Sequence, residues 1–257
     1  MCFFKKKIVH ETIHFLNCNF LNLFIISTLC ALFTIATHYL LEPTAYDLSH
    51  IYGTNFFDTF TIFKTTSHLT INQQKILFNL SFIKISTLIL GNTILCSSIM
   101  SILQNPNLNK IYNVPKILKK SLFFMPKLFS LFFITASIVE VGFIFFTLTG
   151  VILCILLFIS PIIFLIDQSG VFNAIKKSFK ISWKNITKIF FPIFVWLLCK
   201  LSLIIFFAIF HFFSTFVTFF LLQVILNNLT IIIYIYFFYF YIFLKQEKYK
   251  KKFSSEL

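Results

Sequence analysis

"FPIFVWLLCKLSLIIFFAIFHF" (residues 191–212) is a run of 22 residues with a single formally charged side chain, Lys200. At ~1.5 Å of rise per residue, a helix of this length crosses the roughly 30 Å hydrocarbon core of a bilayer. A membrane-spanning β-strand would show alternating polar and apolar residues, which this run lacks. The run therefore predicts a transmembrane helix that carries one charge within it.

The composition of the whole chain predicts the same environment. Hydrophobic residues make up 58% of the 257 residues, and charged residues make up 12%. Soluble domains carry about 25% charged residues, so a water-soluble fold of this size could not bury so much apolar surface. The mean hydropathy of +0.91 likewise indicates a chain whose solvent is lipid.

Six apolar runs predict six membrane spans within one integral membrane domain, residues 1–257. The runs lie at about 20–41, 82–103, 128–147, 151–166, 191–212 and 216–243. We therefore expect an all-α polytopic protein, a six-helix transmembrane bundle with basic amphipathic interfacial helices. Only the short stretch from Thr147, at the end of the third span, to Gly150 connects the third and fourth spans. It predicts an antiparallel helical hairpin in which Gly150 supplies backbone freedom at the turn.

The lysines predict the orientation of the bundle. Every basic residue is a lysine, and most of them lie in the N-terminal tail, the loops after the second and fourth spans, and the C-terminal tail. Six spans place these four segments on one side of the membrane. The positive-inside rule then places both termini in the cytoplasm.

"VFNAIKKSFKISWKNITKIF" (171–190) predicts a basic amphipathic helix at the cytoplasmic surface. At ~100° per residue its aromatic rings share one arc and its lysines occupy another, an arrangement typical of helices that lie in the membrane interface. The predicted surface for anionic lipids of the cytoplasmic leaflet, or for a membrane-protein partner, comprises Lys176, Lys177, Lys180, Trp183, Lys184 and Lys188. The alternative is that these lysines only enforce topology. Nucleic-acid binding is not expected, because no recognition fold is present.

Two charged residues lie within predicted spans, Glu140 in the third and Lys200 in the fifth. Ionised groups in hydrocarbon are costly, and they are usually paired or functional. Our hypothesis is that Glu140 and Lys200 form an ion pair that fixes the packing of these spans. The alternative is a transport site built on the two groups. Asp167, at the end of the fourth span, either caps the following helix or pairs with a lysine at the inner interface.

"HETIH" (residues 10–14) has the H-E-x-x-H spacing of zinc proteases, in which two histidines bind the metal and the glutamate acts as a base. Such a site needs a third ligand downstream, and no paired acidic motif follows. On a helical wheel His10 and His14 share a polar face beside an apolar face that includes Val9 and Ile13. We interpret the motif as an amphipathic lead-in to the first span, and predict no catalytic residues, metal ligands or cofactors.

Three segments carry a resemblance to a known family: "MPKLFSLFFI" (125–134), "SPIIFLIDQSGVFNAIKKSFKISWKNI" (160–186) and "WLLCK" (196–200). They resemble the YciC family of bacterial inner-membrane proteins, and the resemblance covers about residues 15–245. The matching positions include Pro126, Pro161, Asp167, Gly170, Ser178, Trp183, Asn185 and Lys200. The resemblance implies a multi-pass protein of the bacterial inner membrane and implies no activity. We therefore expect a non-enzymatic, structural or envelope-associated role, with a small-solute or lipid-related transporter as the alternative.

Overall fold

The computed structural model describes residues 2–41, 71–104, 114–209 and 215–253, and every regular element in these ranges is a helix. In chain order the helices are α1 (Cys2–Leu41), α2 (Ile71–Leu103), α3 (Val114–Phe145), α4 (Thr147–Leu157), α5 (Ser160–Asp167), α6 (Val171–Lys184), α7 (Ile186–Ile209) and α8 (Thr215–Phe253). Residues 42–70, which lie between the first two predicted spans, are outside the described residues.

Within these ranges, six helical segments are long and apolar enough to cross a membrane. They are Lys6–Thr37, Ile85–Leu103, Pro115–Phe145, Thr147–Asp167, Ile186–Ile209 and Val217–Glu247. Large apolar side chains remain about half exposed on the outer surface of the bundle, for example Phe194, Leu198 and Leu201 on α7. Such a surface suits lipid and would be costly in water. The prediction of an all-α, six-helix membrane bundle is confirmed.

The helices pack as an antiparallel bundle in which α1 lies against both α8 and α2, and α3 lies against α2 and α4. Ile26, Leu95, Leu131 and Phe237 are fully buried at its centre. The ammonium of Lys7 lies 5.2 Å from the ring centroid of Phe243, so the start of α1 and the end of α8 are on the same side of the bundle.

Hydrogen bonds donated by side chains connect the first and last spans. Ser27 donates its hydroxyl hydrogen to the carbonyl of Val224 at 3.0 Å, and the amide of Asn228 donates to the Ser27 hydroxyl at 2.9 Å. Asn227 donates to the Ser27 carbonyl at 3.3 Å. Lipid tails are as apolar as leucine, so helices in a bilayer associate through packing and through such polar contacts.

The hairpin between the third and fourth spans turns one residue earlier than the sequence predicts, and Gly150 has a different role. Phe146 connects α3 to α4 in an extended conformation, with φ −154° and ψ 134°. Gly150 lies within α4 and is buried, and a Cβ placed on it would collide with the Phe143 ring. A Cβ on Gly142 would lie 3.1 Å from the Gly150 Cα atom. The two glycines allow α3 and α4 to approach closely, and the proposed flexibility of Gly150 at the turn is wrong.

The fourth span is divided into two helices, where the sequence predicts one. Helix α4 ends at Leu157 and α5 begins at Ser160, with Pro161 at its start. Proline has no N–H to donate to the carbonyl four residues earlier, which is that of Leu157. The Ser160 hydroxyl donates to this carbonyl at 2.6 Å. The break is thereby stabilised in the middle of an apolar span.

The predicted amphipathic stretch 171–190 is also divided. Helix α6 ends at Lys184, Asn185 adopts a non-helical conformation (φ −121°, ψ 30°), and α7 begins at Ile186. The fifth span therefore starts before residue 191, and Lys188 belongs to it.

Candidate functional site

Helix α6 is docked onto the bundle through a face of small residues. Ala174, Ser178 and Ser182 recur every fourth position and are fully buried. Small residues at this spacing let helices approach closely in membranes. The Ser178 hydroxyl donates to the Leu156 carbonyl at 2.7 Å, which joins α6 to the last turn of α4.

The other two faces of α6 point away from the bundle. One is aromatic: Phe172 is 76% exposed, Trp183 is 62% exposed, and the rings of Phe179 and Trp183 stack with centroids 6.0 Å apart. The other is basic, and its exposed lysines are Lys176, Lys177, Lys180 and Lys184. Lys188, the sixth member of the predicted surface, lies on α7 beyond the break. The structure thus keeps five of the six predicted residues on one short helix.

Asp167 is the point at which three helices meet at the lysine-rich end of the bundle. Its carboxylate accepts from the ammonium of Lys177 on α6 at 2.7 Å and from that of Lys245 on α8 at 3.0 Å. The Tyr241 hydroxyl of α8 donates to it at 2.9 Å. Nearby, the Gln104 amide donates to the Leu165 carbonyl at 3.1 Å and joins the end of α2 to α5. The expectation that Asp167 pairs with a lysine is confirmed, whereas the N-cap of α6 is Gly170.

A cavity of about 290 Å³ lies beside the break in the fourth span. Five spans contribute to its walls, and the exposed side chain of Glu140 lies on its open side. Its polar lining residues are Asn92, Thr135, Glu140, Cys154, Ser160, Trp196, Lys200, Thr230 and Tyr234. Thr135, Ser160 and Thr230 satisfy their hydroxyl groups on carbonyls of their own helical turns.

Glu140 and Lys200, the two predicted intramembrane charges, both line this cavity. Glu140 is exposed, and it lies about 9 Å along α3 from the tip of the hairpin at Phe146. The Lys200 ammonium stands 4.2 Å above the centroid of the Trp196 ring. Within the described parts of the chain the ion pairs of the structure do not include one between Glu140 and Lys200. Their direct pairing stays a prediction, while their convergence on one cavity is observed.

The residues of the HETIH motif lie along one continuous helix, α1. His10 and His14 are exposed, and the His14 Nδ1 atom is 4.0 Å from the Cys18 sulfur. Over residues 2–41, 71–104, 114–209 and 215–253, no three His, Cys, Asp or Glu side chains come together as a metal site would require. The buried face of α1 is formed instead by Ile8, Thr12 and residues further along the helix.

Comparison with known families agrees with the resemblance noted in the sequence. Residues 1–243 match the family described as Uncharacterised protein family (UPF0259). The chain belongs to this family. The resemblance to YciC proteins, the enterobacterial members of UPF0259, is therefore confirmed. No solved structure is similar enough to this chain to be matched.

The relatives in this family are named as membrane proteins. A UPF0259 membrane protein of Buchnera aphidicola subsp. Baizongia pistaciae is 30% identical, over 88% of this chain and 91% of the relative. One from Buchnera aphidicola subsp. Schizaphis graminum is 28% identical over 77% and 80% of the two chains. One from Pectobacterium carotovorum is 24% identical over 78% and 82%. None of these names assigns an enzymatic or transport activity.

Several residues of these sites were not predicted from the sequence. The small-residue face of α6 has a sequence signal, because Ala174, Ser178 and Ser182 recur at intervals of four. The lysines and aromatic rings of the same segment indicate only its two outer faces. Tyr241, which hydrogen-bonds to Asp167, gave no signal, because a tyrosine in an aromatic-rich span is ordinary. The position of Trp196 four residues before Lys200 is the helical spacing that brings ring and ammonium together.

Proposed function

We propose that this protein is a multi-pass protein of the bacterial inner membrane, with both termini in the cytoplasm, whose non-catalytic role is to hold anionic lipids with α6. The observation that carries the proposal is the division of α6 into three faces. Its small face is fixed to the bundle, so its rings and lysines are presented outward together. Rings in the acyl boundary with ammonium groups among phosphates are the arrangement of interfacial membrane-binding helices.

The location in the inner membrane is supported by the helical spans and by the lysine distribution. The lysine-rich end of the bundle, where Asp167 meets Lys177 and Lys245, would face the anionic cytoplasmic leaflet. Each lysine near such a leaflet contributes roughly 1 kcal/mol of attraction. Because Lys177 is already paired with Asp167, the lysines most available to lipid phosphates on α6 are Lys176, Lys180 and Lys184.

The test compares lipid retention between variants that differ only in charge. The full chain is placed in nanodiscs with equal amounts of phosphatidylglycerol and phosphatidylcholine, and retained lipids are counted by native mass spectrometry. The variant carries glutamine at three exposed α6 positions, namely Lys176, Lys180 and Lys184. Three lost lysines remove up to about 3 kcal/mol of attraction, so we expect retention of phosphatidylglycerol to fall by between about tenfold and a hundredfold.

Two controls distinguish a site on α6 from general attraction to a basic protein. Arginine at the same three α6 positions keeps the charge and should keep the lipid. Glutamine at three exposed lysines of α3 removes the same charge elsewhere, and the positions are Lys116, Lys119 and Lys127. Equal loss from the α3 and α6 variants would contradict the proposal. Unchanged lipid with loss of a co-purifying protein from the α6 variant would assign the face to a protein partner instead.

A transport role is the second candidate, and the break beside the cavity is the observation that favours it. Transporters commonly place discontinuous helices at their substrate sites near the middle of the bilayer. Solute counterflow in proteoliposomes that is lost in Glu140→Gln would support this role. Absence of counterflow for any zwitterionic or anionic solute that binds the protein would exclude it.

A further inference from the structure

One acidic and one basic side chain line the cavity beside the break, and neither has an ion-pair partner among the described residues. Glu140 on α3 has no hydrogen bond or ion pair with any described residue, and Lys200 on α7 contacts only the face of the Trp196 ring. An ionised group in a membrane protein is expected to be paired or to serve a ligand. Both groups line the same open cavity, so one ligand can meet both.

Trp196 adds a second donor beside the lysine. Its ring lines the cavity, and its Nε1–H is buried and finds no acceptor among the described residues. A buried N–H without an acceptor costs free energy, which an incoming acceptor would recover. The Lys200 ammonium, one helical turn away on α7, is the donor that the cavity offers to an oxyanion, and the Trp196 N–H joins it once neighbouring side chains shift to expose it.

Glu140, which lines the cavity from α3, presents the opposite charge to a ligand. The Glu140 carboxylate can only accept when ionised, so it suits a cationic donor such as a primary ammonium. The volume of about 290 Å³ lies at the lower end of the roughly 300–1,000 Å³ found for small-molecule pockets. The site therefore has room for a small ligand or a lipid headgroup, and its two charges come from two different spans, α3 and α7.

We propose that the cavity binds a zwitterion whose oxyanion is held by Lys200 and Trp196 and whose ammonium is held by Glu140. The group is either a free solute or the headgroup of a lipid such as phosphatidylethanolamine. This site is separate from the lipid-binding face of α6, and it does not depend on that face or on transport.

The test measures binding of two probes to the full delipidated chain in a neutral maltoside detergent. Phosphatidylethanolamine is counted by native mass spectrometry, and free phosphoethanolamine is titrated by calorimetry. We expect one equivalent of at least one probe. Because hydrogen bonds to charged groups contribute about 1.5–3 kcal/mol, Glu140→Gln and Lys200→Met should each weaken it about tenfold or more. Binding of the lipid alone identifies a headgroup site, and binding of the free probe identifies a solute site.

Matched controls separate this site from the α6 surface and from misfolding. Glu247→Gln and Lys119→Met change the same charges outside the cavity and outside α6, and they should leave zwitterion binding unchanged. Trp196→Phe keeps an aromatic ring without the N–H, so it provides a milder variant if Lys200→Met does not fold, and it should weaken binding several-fold. The proposal is overturned if neither probe binds, or if the folded cavity variants bind as the wild type does. Retention of phosphatidylglycerol by α6 should be unaffected by Glu140→Gln.

Discussion

Replacing Asp167 with asparagine tests how α6 is held in place. The substitution preserves shape and removes the charge that pairs with Lys177 at 2.7 Å and with Lys245 at 3.0 Å. The Tyr241 hydroxyl can still donate to the amide oxygen, so the change acts mainly on the two ion pairs. Helix α6 would then keep its small-residue contacts and lose its electrostatic connection to α5 and α8.

The size of the effect follows from exposure. The Asp167 side chain is 11% exposed, whereas Lys177 and Lys245 are 49% and 41% exposed. Water therefore rehydrates both lysines when the carboxylate is lost, and each pair contributes only about 0.2–1 kcal/mol, as exposed ion pairs do. The two pairs together contribute about 0.4–2 kcal/mol. Because 1.4 kcal/mol is tenfold in an equilibrium constant, local opening of α6 should increase by about two- to thirtyfold.

Hydrogen exchange followed by mass spectrometry measures this opening directly. In nanodiscs, amides of residues 171–184 should exchange about two- to thirtyfold faster in Asp167→Asn, because exchange in folded regions reports local opening. Peptides from α3 should exchange as in the wild type. Glu247→Gln, which neutralises an exposed carboxylate on α8, is the matched control and should change neither region. Unchanged exchange in α6, or equal acceleration in α3, would refute the reasoning.

Three further changes have defined outcomes. Gly142→Val places side-chain atoms against the backbone of α4. As overpacking does, it should lower the free energy of unfolding by about 1–3 kcal/mol, measured by denaturant titration. A stability equal to that of the wild type would contradict the close approach of α3 and α4. Ser178→Ala removes the hydrogen bond to α4 and should cost about 1 kcal/mol. Ser182→Ala removes a buried hydroxyl that has no partner among the described residues, and it should be neutral or stabilising. The reverse order would refute the docking geometry. Lys200→Glu should lower the melting temperature, because it places two carboxylates on one cavity. Adding Glu140→Lys should restore part of the lost melting temperature. Purely additive losses would contradict the convergence of Glu140 and Lys200 on the cavity.

The number and type of the elements could be predicted because each depends on local composition. A run such as 191–212 is apolar at nearly every position, and that property alone requires a helix in lipid. The break at Phe158 could not be predicted, because membrane helices often accommodate a proline without ending. What ends α4 here is a set of contacts with other residues, including the Ser178 hydroxyl on the Leu156 carbonyl, 22 residues away.

The residues of the candidate site likewise divide into features that local sequence predicts and features that depend on packing. The charges of Glu140 and Lys200 were recognisable in the sequence, since ionised groups within apolar runs are rare. Their meeting at one cavity depends on how five spans pack, which no local pattern specifies. Gly150 was misinterpreted for a related reason. Glycine occurs both where a chain turns and where two helices touch, and only the packed structure distinguishes the two.

The most direct test of the proposed function uses Trp183, which is 62% exposed on the aromatic face of α6. The chain has two tryptophans, so Trp196→Phe leaves Trp183 as the single fluorophore. Bilayers of phosphatidylglycerol and phosphatidylcholine in equal amounts are prepared with either lipid brominated on its acyl chains. We expect stronger quenching of Trp183 when phosphatidylglycerol carries the bromine, and equal quenching once Lys176, Lys180 and Lys184 are glutamine. Equal quenching by the two lipids with the lysines in place would contradict the conclusion that α6 gathers anionic lipid.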